Sequence, residues 1–511
     1  MSRPLRRVGV ACLMAASSAL PGAPPPRNFT EYATLAFVEL QSRYYNGAGW
    51  DDSMWWQSAN TIEVISNLAL SAPRVVLPQA SAIFEEVFKA TSNDTIGRCD
   101  KGVNLTFSGY FDDEAWWGLG WLRAYQSTQD PKFLSRSRKI FEDLANRSWS
   151  NASCGGGLCW QATRNPDDMH TCYKNSITNE LFLSLAAQLA AAYQERCARR
   201  TLARAGVGTV VSDCAASELT RDWAEAELDW FLGSGLINGS NLVNDGLDTF
   251  GAHPSVCLNN RRAAYTYNQG VVLSGLGALY KVRRRRRDGS ALGRGSAGGA
   301  SDAGAATVAK AAKADGARAA ARAVAIAPAM PPATACQTQP RTVSADPDAL
   351  LHVAAQIVEA VWASHLVWAA SGGVLRENSE PLLHDGGTLA DLYHGSPGTD
   401  GLMFKSVLLR HLRYLIDDVV SAHGGSETAA EHAIAAAGGN LTTWRARLAA
   451  NAASIWDLAA CAPPGSYAPG AALVVPPLFG FRWMGPCSWA FGGPTATTQT
   501  AAIDAFVSAA S

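Results

Sequence analysis

Much of what this chain lacks is informative. Net charge is −1, with 43 basic against 44 acidic side chains, so nothing favours a nucleic acid partner. The one basic run, RRRRR at 283–287, is local. No CxxC pair meets a matching CxxC or HxxxH, so the spacing of a structural zinc site is missing. The only apolar run near a terminus, Val8 to Leu20, is shorter than the roughly 20 residues needed to cross a bilayer. No later run is both long and uncharged enough for a span. Strand signals are scarce as well: the best, Ala471 to Pro477, is limited by Pro476. No repeat of fixed period appears, which disfavours an α-solenoid.

What is present points to a secretory route. Arg3, Arg6 and Arg7, the apolar Val8–Leu20 and the small Gly22 and Ala23 form a signal-peptide pattern over residues 1–23. The chain has 11 cysteines, and removing Cys12 with the signal leaves an even number. Disulfides are therefore expected. Cys154, Cys159 and Cys172 cluster, and Cys197 with Cys214, or Cys461 with Cys487, are plausible pairs. N-x-S/T sequons at Asn28, Asn93, Asn104, Asn146, Asn151, Asn238 and Asn440 fit the same route modestly. The expected location is secreted, or the endomembrane lumen or cell wall.

Amphipathic helix patterns recur at 30–45, 59–72, 79–91, 110–127, 131–147, 174–196, 216–233, 265–282, 347–369, 401–420, 441–459 and 496–508. Helix pairs joined by alternating short and long loops imply an all-α fold, an (α/α)6 barrel: an inner ring, an outer ring and a cleft where long loops gather. Residues 283–345 stand apart, rich in Ala, Gly and Arg with almost no aromatics, and read as a disordered or loosely helical insertion. One domain over 24–511, interrupted by that insertion, is the expected organisation.

Sixteen tryptophans are many for this length. Several loops set aromatics beside carboxylates or amides, the mixture that stacks on sugar faces and bonds their hydroxyls; the plain alternative is tryptophan packed in a large core. The sharpest feature is FDDEAWW at 111–117, nearly copied by WDDSMWW at 50–56. Glycoside hydrolysis uses two carboxyl groups, about 5–5.5 Å apart in retaining enzymes. Adjacent aspartates at a helix start can approach that separation, and their like charge raises one pKa. Taken alone, an Asp-Asp pair is more often helix capping.

DDEAWWGLGWLRAY, GGGLCW at 155–160, YKNSITNELFLSLAAQLA at 173–190, TYNQGVVLSGL at 266–276 and DGLMFKSVLLRHL at 400–412 together resemble glycoside hydrolase family 76. The resemblance covers roughly 30–282 and 345–508. It implies a six-fold α/α barrel acting on α-1,6-mannan with retention, Asp112 as nucleophile and Asp113 as acid/base, and no metal or organic cofactor. The loop YYNGAGWDDSMWWQSAN at 44–60 resembles a cleft-lining block in which tryptophans, rather than Asp51 and Asp52, matter. Asp167–Asp168 and Asp417–Asp418 read as surface or capping residues. Glu180 reads as a buried structural partner.

Expected substrate contacts are Trp55, Trp56, Trp116, Trp117, Trp160, Tyr173, Asn175, Asp245, Asp248, Tyr267, Asn268 and Gln269. About half of the tryptophans are expected in the core, and Asn268 and Gln269 have a helix-capping alternative. Gly270, Gly275 and Gly277 should permit close helix packing. Cys159 replaces a tryptophan common after the glycine run and should enter a disulfide. The expected partner is α-mannan or a mannose-containing glycan, met by a monomer. The C-terminal AAIDAFVSAAS lacks the apolar tail of a glycosylphosphatidylinositol signal, which speaks against membrane anchoring. Rival readings are a cell-wall transglycosidase, a non-catalytic glycan-binding protein on the same scaffold, and a lyase or epimerase on an α/α barrel.

Overall fold

The computed structural model describes residues 27–51, 53, 55–91, 109–162, 172–202, 207–250, 253–295, 346–368, 371–377, 380, 400–461, 477–485, 487 and 494–510. The signal pattern, Asp52, Asn93, Cys99, Asn104, Asp167, Asp168, Cys336, most of the insertion (296–345) and Ala471–Pro476 lie outside the described residues.

The described residues form helices α1 (Phe29–Tyr44), α2 (Trp55–Ser71), α3 (Pro73–Thr91), α4 (Phe111–Thr128), α5 (Pro131–Arg147), α6 (Ser176–Leu202) and α7 (Val207–Gly233). They continue with α8 (Thr266–Gly295), α9 (Pro347–Trp362), α10 (Phe404–Ala422), α11 (Glu427–Ala436), α12 (Leu441–Leu458) and α13 (Ala496–Ala509). Local chemistry sets many of the starts. The side chains of Asn28, Asp130, Asp346 and Asn440 each accept a first-turn N–H, and Pro131 and Pro347 follow two of these caps.

Helices α2, α4, α6, α8, α10 and α13 pack in that order, and α13 returns to α2 to close a ring. Burial shows why they are inner: α2 is buried over Trp56–Ala69 and α13 over Ala496–Ser508. A helix apolar or buried all round has to sit in a core. Helices α1, α3, α5, α7, α9 and α12 form the outer ring, and α5 and α9 keep a polar outer face. This is the expected (α/α)6 toroid.

Connections from inner to outer helix are short where α2 meets α3 (Ala72) and α4 meets α5 (Gln129–Asp130). Connections from outer to inner helix are long, as at 148–175, 234–265 and 459–495. The long loops therefore gather where the inner helices begin. Gly270 lets α8 approach α10: a Cβ there would lie 2.6 Å from the Leu408 Cα. A Cβ at Gly275 would lie 2.8 Å from Leu183 Cγ and one at Gly277 3.1 Å from Leu415 Cα, so all three glycines allow the close packing expected.

Three features differ from expectation. Helix α8 does not stop at Val282 but runs to Gly295 through the arginine run. Arg283 pairs with Glu225 at 2.9 Å, Arg285 with Glu195 at 2.9 Å, and Arg286 with Glu218, so α6 and α7 supply the charge that local composition could not show. Helix α11 was not foreseen. Short strands were missed as well. β1 (Lys174–Asn175), β2 (Gly246–Phe250) and β3 (His253–Asn259) form one antiparallel sheet, and β4 (Ala460–Cys461) pairs with β5 (Leu478–Phe479). They lie in the loops, where a pair of residues carries no periodic signal.

Disulfides join Cys154 to Cys257, Cys159 to Cys172, Cys197 to Cys214 and Cys461 to Cys487. No helix among the described residues is long and apolar enough to cross a membrane. No group of three His, Cys, Asp or Glu among them is placed to hold a metal ion.

Candidate active site at the loop face

Asp112 and Asp113 occupy the first turn of α4, behind Tyr110 at the N-cap position, so neither is itself the cap residue. Both are half-buried. Asp112 Oδ1 accepts the backbone N–H of Asp113 at 3.1 Å, and Oδ2 accepts the indole N–H of Trp160 at 3.0 Å. Burial and the charge of Asp113 push the Asp112 carboxyl up to about 7, against the opposing pull of those donors. The next residue, Glu114, is fully buried, and its Oε2 accepts from Arg147 of α5 at 2.8 Å. Burial raises Glu114 to about 8, so it ties α4 to α5 and plays no part at the mouth.

Trp160 is held by its backbone. Its carbonyl accepts from the Phe111 N–H at 2.9 Å, and its own N–H donates to the Tyr173 carbonyl at 2.9 Å. The loop carrying it is pinned by the Cys159–Cys172 disulfide and by buried Lys174, whose Nζ donates to the carbonyls of Gly157 at 2.6 Å and Ser150 at 3.1 Å. Burial pulls Lys174 down to about 7. The glycine run has a steric cause. Gly157 has φ of +77°, and a Cβ there would lie 2.6 Å from Trp230.

Across the mouth, Tyr173 donates its hydroxyl to Asp245, and Asn260 donates to the Tyr173 oxygen at 3.0 Å. Tyr267 lies with Phe404 at 4.0 Å and Tyr265 at 5.7 Å between ring centroids. Burial, with the charges of Asp245 and Asp112, raises the Tyr267 hydroxyl above its usual range. Trp56 donates to Asp400 at 3.2 Å and stacks on Trp116 at 5.8 Å. Phe404, Tyr265, Tyr110 and Asp400 were not singled out from sequence. Phe404 and Asp400 stand inside the DGLMFKS block, which was the available signal.

Several expected contacts have other duties. Trp117 is 1% exposed and wedged between Trp55 and Trp121, so a sugar cannot reach it. Trp116 is also buried, as is Trp56 beside it. Asn175 caps α6 by accepting the Thr178 N–H at 3.3 Å. Gln269 is buried, and its amide bonds both the N–H and the carbonyl of Val243 at 2.8 Å. Asn268 is buried, and neither amide atom has a partner among the described residues. Asp248 is exposed on β2 and pairs with Arg262 at 3.6 Å. Trp160, bonded to Asp112, meets the Tyr173 ring edge-on at 6.1 Å, Tyr173 in turn bonds Asp245, and Trp55 and Tyr267 are half-buried. Asp51 is exposed in a turn and accepts from Asn46 at 2.8 Å.

Glu180 is fully buried, neither carboxylate oxygen has a partner among the described residues, and burial holds its carboxyl well above the usual range. Asn179 beside it bonds both the N–H and carbonyl of Leu158.

The molecule is thus an α/α toroid whose long loops hold an adjacent acid pair against aromatic rings. Residues 31–198 match the profile of glycosyl hydrolase family 76. Mannan endo-1,6-alpha-mannosidase DCW1 of Saccharomyces cerevisiae is 32% identical over 177 residues, 33% of each chain. Its Eremothecium gossypii counterpart is 30% identical over 179 residues, also 33% of each. The match spans about a third of the length of these curated relatives. Among solved structures, the GH76A alpha-1,6-mannanase from Salegentibacter sp. HEL1_6 superposes with a TM-score of 0.55 at 16% identity, over 94% of this chain and 99% of that one. Dfg5 from Chaetomium thermophilum, in complex with glucosamine, gives 0.55 at 16% identity over 94% and 90%. Over residues 31–198 the chain is thus similar to glycosyl hydrolase family 76.

Proposed function

We propose that the protein is a retaining glycoside hydrolase cleaving α-1,6-mannosidic linkages, with Asp112 as nucleophile and Asp113 as acid/base. The observation that carries this reading is the Asp112–Asp113 pair, half-buried where the long loops meet and bonded by Trp160. The N–H donors of Trp160 and of the Asp113 backbone orient the Asp112 carboxyl for attack. In the first step a carboxylate oxygen of Asp112 attacks the anomeric carbon while Asp113 gives its proton to the departing glycosidic oxygen. Asp113 then takes a proton from water, whose oxygen displaces Asp112 from the same carbon, and α-configuration is restored. Trp160, Tyr173, Asp245 and Tyr267 supply the walls of the sugar site.

Similarity to the curated mannosidases supports the substrate class. A Salegentibacter variant described as inactive, with two consecutive aspartates replaced by alanine, was solved with alpha-1,6-mannotetrose. The four disulfides support an oxidising compartment and hence secretion or a cell-wall location. In this reading the chain acts as a monomer, with residues 1–23 as signal peptide and a single catalytic domain following.

The test is incubation with α-1,6-mannan, reading product length and anomeric configuration by NMR, with and without an added acceptor sugar. First-formed α-configured oligosaccharides are expected, and Asp112→Asn and Asp113→Asn should each lower turnover by at least about 10³-fold. Absence of cleavage by the parent, or substantial turnover in both variants, would overturn the assignment. Acceptor-dependent elongation in place of hydrolysis would make the protein a transglycosidase.

A further inference from the structure

We propose that the outer wall of the toroid carries a second glycan-binding site, which holds a neutral α-mannan chain away from Asp112. This inference rests on the substrate class proposed above. The site is a pocket of about 520 Å³ between α9, α12 and the turn that follows α9. Ligand pockets commonly fall between about 300 and 1,000 Å³. Trp362, Ser364, Trp368, Gly372, Thr443 and Arg447 contribute to its lining.

Both tryptophans are partly exposed and rigidly held. The indole of Trp362 donates to the Gly373 carbonyl at 3.1 Å, and the Arg447 guanidinium lies 4.8 Å from its ring. Trp368 has Arg376 at 5.3 Å, and Arg376 Nε in turn donates to the Glu380 carbonyl at 3.0 Å. Side chains fixed before binding lose little entropy when a ligand arrives. The rim is open at Gly372, where a Cβ would meet nothing within 4 Å.

The lining also discriminates between ligand classes. Arg447 spends its charge on Glu359 through bonds of 3.0 and 2.9 Å, so neither an anion nor a cation finds an uncompensated partner. The Trp368 indole N–H is itself buried, so a ligand in the pocket meets the ring face and not that donor. Aromatic faces, the Thr443 hydroxyl and the Ser364 oxygen, whose proton goes to the Val361 carbonyl at 2.7 Å, suit a neutral polyhydroxylated ring. Helices α9 and α12 pack on α8 and α13, whereas Asp112 begins α4, so this pocket and the acid pair lie on different parts of the ring.

Ala446 lines the pocket from an exposed position on α12, so Ala446→Trp fills it without removing core packing. Trp368→Ala is the second variant. Full-length protein made without N-glycans, carrying Asp112→Asn and Asp113→Asn to prevent cleavage, is run through gels containing α-1,6-mannan. Each pocket variant should weaken retention by about three- to tenfold, the scale of one aromatic contact. In the active background, turnover of a short α-1,6-manno-oligosaccharide should stay unchanged. Retention equal to the parent in both variants overturns the site, as does loss of short-substrate turnover in both. If the active parent cleaves mannan while the pocket variants are retained like the silenced parent, only this inference fails. A parent that neither cleaves nor binds mannan removes the proposed function as well.

Discussion

The indole N–H of Trp160 donates to Oδ2 of Asp112 across 3.0 Å, and the Trp160 backbone is bonded on one side to Phe111 and on the other to Tyr173. One residue thus couples three parts of the chain to a single carboxylate. It fixes the orientation of Asp112 and biases its charge.

Trp160→Phe keeps the ring and removes the donor. Because that bond lowers the Asp112 pKa, its loss should move the pH–rate profile to higher pH. Turnover should fall about 10- to 100-fold, as for loss of one oriented donor. Steady-state rates from pH 4 to 9 check this, and an unmoved profile would show that the bond does not tune the pair.

The acid pair should cost stability at high pH. Asp112 has a folded pKa of about 7, raised from 3.8, so the folded chain keeps a proton that the unfolded chain loses. Its contribution is most favourable below the unfolded value and is lost as pH rises through about 7. Asp112→Asn should therefore raise the denaturation midpoint at pH 8 and leave it nearly unchanged at pH 4. An equal or lower midpoint at pH 8 would mean that other contacts of Asp112 outweigh the burial of its charge.

Gly270→Ala sets helix propensity against packing. Alanine in a helix interior normally gains up to about 1 kcal/mol over glycine. Here the new Cβ would stand 2.6 Å from the Leu408 Cα, and the α10 backbone cannot yield as a side-chain tip can. A net loss of about 1–3 kcal/mol is expected in chemical denaturation. A stabilised variant would show that α8 and α10 can separate cheaply.

Much of the scaffold was legible because apolar residues recur at helical spacing, and because caps such as Asp130 and Asp346 stand before prolines. The pairs Cys197–Cys214 and Cys461–Cys487 were readable as near neighbours, whereas Cys154–Cys257 crosses 103 residues and was not. At the site, Asp112 and Asp113 were picked out only by the blocks around them. Their neighbours divided by burial. Tyr173 contacts both Trp160 and Asp245, but Trp117 is walled in by two other tryptophans, and the Gln269 amide is taken up by Val243. The type of a side chain shows what it can bond, not which partner reaches it first.

By itself the sequence determined the ring of helices, since the spacing of apolar residues dictates which faces must be buried and capping residues dictate where helices begin. It also carried the acid pair and the glycines that let helices touch. Only the tertiary structure decided which of the many aromatic and amide side chains stay at the cleft, and that the arginines at 283–287 continue α8. Those outcomes depend on groups brought together across the ring, such as Glu218, Glu225 and Val243. Their desolvation and pairing energies exist only once the chain has closed on itself.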